Sequence, residues 1–315
     1  MKKIIVTATL LLLSLSASIE ARSLIDSGDR VYDTNVAPYN SIVKIEIQTP
    51  DGTYRCTGTL IRYNVVLTAG HCAVQDMKTG QTYDPRDYTV TSSDDQNTWK
   101  VTKLITPYKT GNTKQDFSLL KINNSDTSTP TLPLATISKD NLMHAPPPTL
   151  LTTGYGIDLG NYGNMGPGEP DLEKGNVFAT TDSHAIETVA EGWEWLSNDT
   201  IGSSNKDHQQ YIDFANSQYN PNYMFATCSP QPTDHGDSGG PVLYSNHGKY
   251  EIVGTTSWGL TIPPSKDYPE YRSYNHCIDY QGKDQNHEKI SVFSNLTNGS
   301  INRDTLRKEL NSLSN

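Results

Sequence analysis

The stretch CTGTLIRYNVVLTAGHC, which spans Cys56 to Cys72, says most about the fold of this chain. With the two residues before it, it predicts two β-strands, Tyr54–Ile61 and Asn64–Thr68, because two segments of strand-forming residues flank a short turn. His71 follows the second strand after two small residues. A histidine directly after a strand, beside a cysteine that forms a disulfide, would be held rigidly.

The rest of the chain continues this pattern of short strands and frequent turns. A segment rich in Ser, Thr, Asn and Pro, Asn123–Leu134, separates two halves, and leucines on one face predict a helix at Asn302–Leu313. Such a series is typical of β-barrels or a β-sandwich. The other predicted strands are Ser41–Gln48, Asp87–Ser92, Trp99–Ile105, Phe117–Ile122, Thr149–Thr153, Asn176–Thr181, Tyr223–Thr227, Pro241–Tyr244, Tyr250–Ser257 and Ile290–Ser294.

The composition supports a folded β protein and argues against several functions. The chain has 315 residues, including 18 Tyr and 23 Gly, whereas a disordered chain would be poorer in aromatic residues. Its net charge is −10, which argues against a protein that follows nucleic-acid phosphates and against a basic protein of membrane surfaces. We therefore expect no nucleic-acid partner.

The N-terminal segment differs from the rest of the chain. Lys2 and Lys3 form a short basic start, Ile4–Leu15 is a nearly unbroken apolar run, and small residues follow up to Ala21. This three-part pattern is typical of a secretory signal peptide, and the apolar run is too short to span a bilayer comfortably. We expect residues 1–21 to be removed and the protein to be secreted or periplasmic, without a membrane span.

Export changes what the four cysteines predict. Their number is even and an exported protein meets an oxidising environment, so two disulfides are expected and three pairings are open. The absence of a Cys-x-x-Cys pair argues against a zinc ribbon. The cysteines are Cys56, Cys72, Cys228 and Cys277.

Two further stretches carry residues whose chemistry complements that of His71. In QDFSLL, Asp116 begins an apolar strand, where a carboxylate can be partly buried; in GDSGGP, glycines flank Ser238, so a tight turn can expose its hydroxyl. A serine hydroxyl is a weak nucleophile that needs a base in contact and an anion site nearby. The three residues could supply these parts together. Their order argues against an α/β-hydrolase esterase, in which the serine comes first.

These three residues lie in the longer motifs TGTLIRYNVVLTAGHC, DFSLLKI and GDSGGP. Two further motifs are GTTSWG at Gly254–Gly259 and GYG at Gly154–Gly156. All five resemble the chymotrypsin-like, or trypsin-fold, serine endopeptidases. DRVYDTNVAPYNSIVKIEI, near the N-terminus, also resembles the bacterial glutamyl-endopeptidase branch. The resemblance implies an all-β fold of two antiparallel six-stranded β-barrels with a C-terminal α-helix. Residues 22–128 would hold an N-terminal segment and the first barrel, and residues 129–315 the second barrel with insertions and the helix.

The resemblance also implies a role for each candidate residue. Ser238 would attack the scissile carbonyl, His71 would move the proton, and Asp116 would orient His71 and stabilise its charged form. The backbone N–H groups of Gly236 and Ser238 would form the oxyanion hole. The substrate backbone would pair with the strand residues Ser257, Trp258 and Gly259.

The family pairing implies a disulfide between Cys56 and Cys72, which closes a small loop beside His71. That leaves Cys228 and Cys277 to pair with each other. We also expect protein or peptide substrates, a monomer, and neither a metal nor an organic cofactor.

The specificity of the substrate pocket stays open between basic, glutamyl, and small or apolar side chains. The base of the pocket should lie near Pro232 and Thr233 and its wall near Thr255–Gly259. The resemblance implies that a basic preference needs an aspartate where Pro232 stands. It implies that a glutamyl preference needs a threonine, which is present as Thr233, together with a histidine where Thr256 stands. Asp234 or Asp279 could supply a carboxylate for a buried basic side chain.

Activation by cleavage is a further open hypothesis. In the trypsin branch the aspartate before the nucleophile, here Asp237, pairs with a newly formed α-amino group; alternatively it bonds locally and no such step exists. Arg30–Val31 and Arg22–Ser23 are the candidate cleavage sites. The competing hypothesis for the whole protein is a catalytically inactive binding module on the same fold, against which the intact His71, Asp116 and Ser238 argue.

Overall fold

A computed structural model describes residues 29–50, 52–76, 79–109, 112, 114–142, 148–156, 173–180, 222–229, 233, 236–260, 277–278, 284–285 and 289–314. The expected signal segment, residues 1–21, lies outside these ranges. No helix in the described ranges has the length and apolar character needed to cross a bilayer.

Short strands dominate the structure. The described α-helices are α1 (Lys139–Leu142) and α2 (Ile301–Ser314), and single 3-10 turns lie at Tyr39–Ser41 and Pro85–Asp87. The strands are β1 (Asp29–Arg30), β2 (Ile42–Thr49), β3 (Gly52–Arg62), β4 (Val65–Thr68), β5 (Val74–Asp76), β6 (Gln81–Thr82), β7 (Tyr88–Ser92), β8 (Thr98–Ile105), β9 (Ser118–Ile122), β10 (Thr149–Gly154), β11 (Glu173–Thr180), β12 (Met224–Ser229), β13 (Pro241–Asn246), β14 (Lys249–Leu260), β15 (Cys277–Ile278), β16 (Asp284–Gln285) and β17 (Lys289–Asn295).

The first barrel is closed and antiparallel, with the strand order β2-β3-β4-β9-β8-β7. Alternation along β3 sets its packing, because successive side chains of a strand point to opposite faces. Cys56 and Leu60 belong to the apolar core of this barrel, and a Cβ on Gly58 would lie 2.5 Å from the Cγ1 atom of Val66. Thr57, between Cys56 and Gly58, therefore faces away from the core of the first barrel.

The second half forms a seven-stranded sheet in the order β1-β11-β10-β13-β14-β17-β12. β11 also pairs with β12, so every strand except β1 belongs to a ring of six paired strands. Its core contains the rings of Phe225 and Phe293, which stack with their centroids 5.4 Å apart. This architecture, with helix α2 at the end of the chain, confirms the predicted fold class.

A third apolar cluster lies between the two barrels. It combines Leu67 of β4 with Leu243 of β13 and with Leu306 and Leu310 of α2. The chain crosses from one barrel to the other here, where Leu132 N–H donates to the Leu60 carbonyl at 2.9 Å. Burial of each such leucine side chain contributes roughly 1.5–3 kcal/mol, so this cluster holds together the two halves that meet at the site.

Every predicted strand is present, as is the predicted helix. The clearest difference is in β14, which extends to Leu260 rather than ending at Ser257. Five described strands of two or three residues (β1, β5, β6, β15 and β16) are absent from the predictions because so few residues carry no periodicity. The disulfide between Cys56 and Cys72 is present. Cys228 and Cys277 belong to β12 and β15, and their predicted disulfide lies outside the described side chains.

Candidate active site

His71 and Asp116 meet because β4 and β9 are neighbours. Thr68, the last residue of β4, pairs with Ser118, the first residue of β9, so the segments beside both strand ends lie at the same edge of the first barrel. The His71 backbone N–H donates to Asp116 Oδ1 at 2.8 Å, and His71 Nδ1 lies 2.9 Å from Asp116 Oδ2. The structure thus joins two residues that the sequence places 45 positions apart.

The Asp116 carboxylate lies in a buried site that supplies several donors. Asp116 is 2% exposed, and besides the two groups of His71 the Ser257 hydroxyl donates to its Oδ2 atom. The Ser294 hydroxyl donates to the Asp116 backbone carbonyl at 2.7 Å. An ionised carboxylate accepts and does not donate, so the contact places the ring hydrogen on His71 Nδ1 and leaves Nε2 free to accept a proton.

The pKa of His71 reflects two opposing effects. Burial is the largest single influence and lowers the pKa of the His71 imidazole. The charge of Asp116 and its hydrogen bond raise the pKa, and together they outweigh burial, so the net pKa lies above the usual value. The Tyr108 ring contacts His71 edge to face, with ring centroids 6.4 Å apart. Burial, reinforced by the charge of Asp116, raises the pKa of the Tyr108 phenol, so Tyr108 stays neutral beside the pair.

Ser238 lies on a tight turn whose shape depends on glycine. Gly236 and Gly239 have φ values of 96° and 82°, in the left-handed region that favours glycine, and Gly240 N–H donates to the Asp237 carbonyl at 2.7 Å. A Cβ on Gly236 would lie 2.7 Å from the Tyr155 carbonyl oxygen. Side chains at these positions would therefore strain the backbone and collide with neighbouring atoms.

The turn packs directly on the strands that carry His71. A Cβ on Gly239 would lie 2.1 Å from Thr68 Oγ1, and Thr57 N–H donates to the Ser238 carbonyl at 2.8 Å. Cys72 Sγ lies 3.8 Å from the same carbonyl oxygen. Ser238 and His71 are both half-buried. The nucleophile candidate and the base candidate are thus brought to one junction between the barrels.

The Asp237 carboxylate packs against the GYG stretch in this structure. Its side chain is fully buried, and Oδ1 accepts the Gly156 N–H at 2.8 Å. A Cβ on Gly154 would lie 2.1 Å from that oxygen, so the GYG stretch must carry glycine to pack against the carboxylate. At the candidate cleavage bond, Arg30 belongs to β1 and Val31 is buried in the cluster between the barrels. Activation by cleavage stays a prediction.

The predicted pocket residues are described in part. Thr233 and Thr256 are buried, Thr233 N–H donates to Ser291 Oγ at 2.9 Å, and neither threonine hydroxyl has a hydrogen-bond partner among the described residues. Trp258 and Gly259 lie in β14 opposite Val292 and Ser291 of β17. Three predicted residues lie outside the described ranges: Pro232, Asp234 and Asp279.

Three residues contact Asp116 or the Ser238 turn in ways that the sequence did not predict. Ser257 was expected to bind substrate through its backbone, yet its hydroxyl contacts Asp116. Ser294 and Thr57 were not singled out, because a hydroxyl residue in a strand carries no sequence signal of its partner. Alternation marks all three only as strand residues, and the contacts depend on how the barrels pack.

Comparison with known proteins agrees with the geometry. The family model described as Trypsin matches residues 25–280. The chain belongs to the trypsin family. A protein named Trypsin from Saccharopolyspora erythraea is 26% identical to this trypsin-family chain over 226 residues, which cover 68% of this chain and 80% of that protein.

Solved structures show the same fold at low sequence identity. A Glu endopeptidase is similar with a TM-score of 0.55 and 18% identity, and the match covers 90% of this chain and 97% of that one. A secreted serine protease from Vibrio cholerae is similar with a TM-score of 0.53 and 16% identity, covering 90% of this chain and 48% of that one. The family match confirms the resemblance to chymotrypsin-like proteases, and by family the protein is a serine endopeptidase.

Proposed function

We propose that this trypsin-family protein hydrolyses peptide bonds through an acyl-enzyme formed on Ser238, with His71 as base and Asp116 as its partner. The observation that carries the proposal is the contact of His71 Nδ1 with Asp116 Oδ2 at 2.9 Å, beside the turn that bears Ser238. This contact leaves Nε2 as the proton acceptor and keeps the ring in one orientation. A neutral imidazole then activates a hydroxyl that is otherwise a weak nucleophile.

The reaction has two halves. The Ser238 oxygen attacks the scissile carbonyl carbon while His71 Nε2 takes the hydroxyl proton, and the resulting imidazolium is stabilised by Asp116. The imidazolium gives its proton to the leaving amine as the C–N bond breaks, which leaves an ester on Ser238. Water then attacks the ester, His71 takes and returns a proton, and the carboxylic acid product leaves with Ser238 restored.

The negative charge of each tetrahedral intermediate needs hydrogen-bond donors that are already in place. We assign this role to the N–H groups of Gly236 and Ser238. The turn geometry supports the assignment, since the positive φ of Gly236 and the 2.7 Å bond from Gly240 N–H to the Asp237 carbonyl give the turn one defined shape. Backbone donors in such a turn need no reorganisation during the reaction.

Substrate would bind as an added strand along β14. Strand β14 pairs with β13 along one edge as far as Thr255. After Thr255, β17 is the described strand that pairs with β14, and it lies along the opposite edge. The other edge, formed by Ser257, Trp258 and Gly259, can therefore pair with an extended peptide. We place the pocket for the first substrate side chain at Pro232, Thr233 and Thr256, whose threonine hydroxyls provide hydrogen-bonding groups without a fixed charge.

We further propose a secreted or periplasmic monomer. The leader pattern of residues 1–21 supports export, as does the disulfide between Cys56 and Cys72, because disulfides persist in oxidising compartments. Sequencing the N-terminus of the exported protein identifies the mature start and shows whether Arg22–Ser23 or Arg30–Val31 is cleaved. A peptide-library cleavage profile of the same material decides between basic, glutamyl, and small or apolar preferences.

Peptide hydrolysis by Ser238→Ala tests the proposal against an inactive binding module. We expect hydrolysis to fall by about 10⁶-fold, since removing the nucleophile of a serine protease has this effect, while binding of peptides persists. Ser245→Ala is the matched control, because Ser245 is exposed on β13 far along the strand from the turn. Wild-type protein that binds peptides without hydrolysing them would favour the binding module.

A further inference from the structure

Thr57 connects the first barrel to the turn that bears Ser238. It is fully buried and lies on the face of β3 that points away from the core of its own barrel. Its backbone carbonyl accepts a hydrogen bond from the Thr68 hydroxyl at 2.8 Å, which ties it to the end of β4. The backbone of Thr57 is thus fixed to the same barrel that positions His71.

The side chain and backbone of Thr57 contact two carbonyl groups of the turn. Its hydroxyl donates to the Gly236 carbonyl at 2.8 Å and accepts the Tyr155 N–H at 2.9 Å. Its own N–H donates to the Ser238 carbonyl at 2.8 Å. One hydroxyl hydrogen and one lone pair satisfy both side-chain contacts, so the pair of bonds is chemically consistent.

These contacts restrict the backbone at Gly236. Gly236 has no side chain to limit its rotation, and its φ of 96° lies where other residues rarely go. The Thr57 hydroxyl holds the carbonyl that follows this φ, and Gly156 N–H holds the side chain of the next residue, Asp237, at 2.8 Å. The peptide unit that bears the Ser238 N–H therefore lies between carbonyls that Thr57 fixes on both sides.

We infer that Thr57 is a positioning residue for the reaction proposed above: its hydroxyl aligns the Gly236 and Ser238 N–H groups with the developing oxyanion. It does not touch substrate and acts through the Gly236 carbonyl. The role rests on the proposed function of Ser238. This role predicts that loss of the hydroxyl weakens stabilisation of the transition state and changes substrate binding little, since only the tetrahedral oxyanion depends on this alignment.

Thr57→Val tests the role because it keeps the shape of the side chain and removes the hydroxyl. Loss of an entire oxyanion donor costs about 10²–10³-fold in kcat, so misalignment should cost about 10–100-fold. We expect KM to change less than about twofold, as for an interaction made only in the transition state. Affinity for a peptide aldehyde, which forms a tetrahedral adduct with the serine, should fall in parallel with kcat/KM, and Thr57→Ser should restore both.

Thr59→Val is the matched control. Thr59 lies two residues further along β3 on the same face, is fully buried, and its hydroxyl has no hydrogen-bond partner among the described residues. The same substitution there should leave kcat and aldehyde affinity unchanged. Melting temperatures of the variants show which changes are structural. If Thr57→Val does not fold, Thr57→Ala removes the hydroxyl without placing a methyl group against the Gly236 carbonyl, and the same loss in kcat is expected.

Several results would overturn the inference. They are a Thr57→Val enzyme with the kcat of the wild type, an equal loss in Thr59→Val, a loss confined to KM, or a Thr57→Ser variant as slow as Thr57→Val. Wild-type protein without Ser238-dependent hydrolysis would instead overturn the proposed function, and the role of Thr57 with it. An active wild type with an equally active Thr57→Val overturns the role of Thr57 alone.

Discussion

The two halves of the candidate site are held in different ways. In the first barrel, hydrogen-bond donors converge on one charge: the Asp116 carboxylate accepts from the His71 backbone N–H, the His71 ring and, across the barrel junction, the Ser257 hydroxyl. On the second barrel, the Ser238 turn is held through its backbone, by positive φ angles at Gly236 and Gly239 and by carbonyl contacts to Thr57. One half depends on electrostatics and the other on backbone shape.

This difference indicates which substitutions each half of the site tolerates. A change of charge should disable the His71–Asp116 half without moving the backbone, whereas a change of volume should disable the Ser238 half without altering any pKa. Cross-barrel contacts connect the halves, since Ser257 of β14 reaches Asp116 and Thr57 of β3 reaches Gly236. The following changes separate these dependences.

Asp116→Asn should have the largest effect. The amide keeps the volume of the side chain but no longer stabilises the His71 imidazolium and favours the wrong ring tautomer, so kcat should fall by about 10⁴-fold. Without the charge of Asp116, the lowering effect of burial dominates, so the pKa of His71 should fall below that of the wild type. A pH titration of His71 by NMR measures this, with the exposed Asp126→Asn as control. An unchanged His71 pKa would contradict the electrostatic account of this half.

Gly236→Ala should have the second-largest effect. The new Cβ would lie 2.7 Å from the Tyr155 carbonyl oxygen and 3.0 Å from Gly156 Cα, so the turn must shift and its N–H groups lose their alignment. We expect kcat to fall on the order of 10²–10³-fold with an unchanged His71 pKa.

Gly248→Ala is the matched control for that change. Gly248 has a similar φ of 80°, but a Cβ added there would meet no atom of the non-adjacent described residues within 4 Å, so the backbone cost is shared and this collision is absent. Steady-state kinetics on both variants make the comparison. Equal activity of the two enzymes would mean that the shape of the Ser238 turn does not limit the reaction.

Ser257→Ala should have the smallest effect of the three. It removes one donor to Asp116 Oδ2 while the His71 contacts remain, and one such hydrogen bond corresponds to about a tenfold change in kcat. KM should stay the same because the β14 backbone is unchanged. Ser118→Ala is the control, since Ser118 is equally buried near Asp116 but its hydroxyl has no partner among the described residues. A loss in KM rather than kcat would assign Ser257 to substrate binding alone.

The sequence allows the fold and the main candidate residues to be predicted, because both depend on local patterns. Alternation within about eight residues predicts strands such as β2 and β7, and glycines around Ser238 predict a turn. The Cys56–Cys72 disulfide follows from a family motif. The contacts of Thr57 do not follow, because its partner Gly236 lies 179 positions away and a threonine in a strand needs no partner to be favoured there.

The most direct test of a Ser238 nucleophile activated by His71 is the rate of fluorophosphonate labelling as a function of pH, with the adduct located by mass spectrometry. We predict one adduct per chain, on Ser238, whose rate of formation rises from about pH 5 to about pH 9 as His71 loses its proton. Since Asp116 raises the pKa of His71, the midpoint should lie above that of an ordinary histidine and move down in Asp116→Asn. An adduct on another residue, or a rate that does not change with pH, would contradict the account.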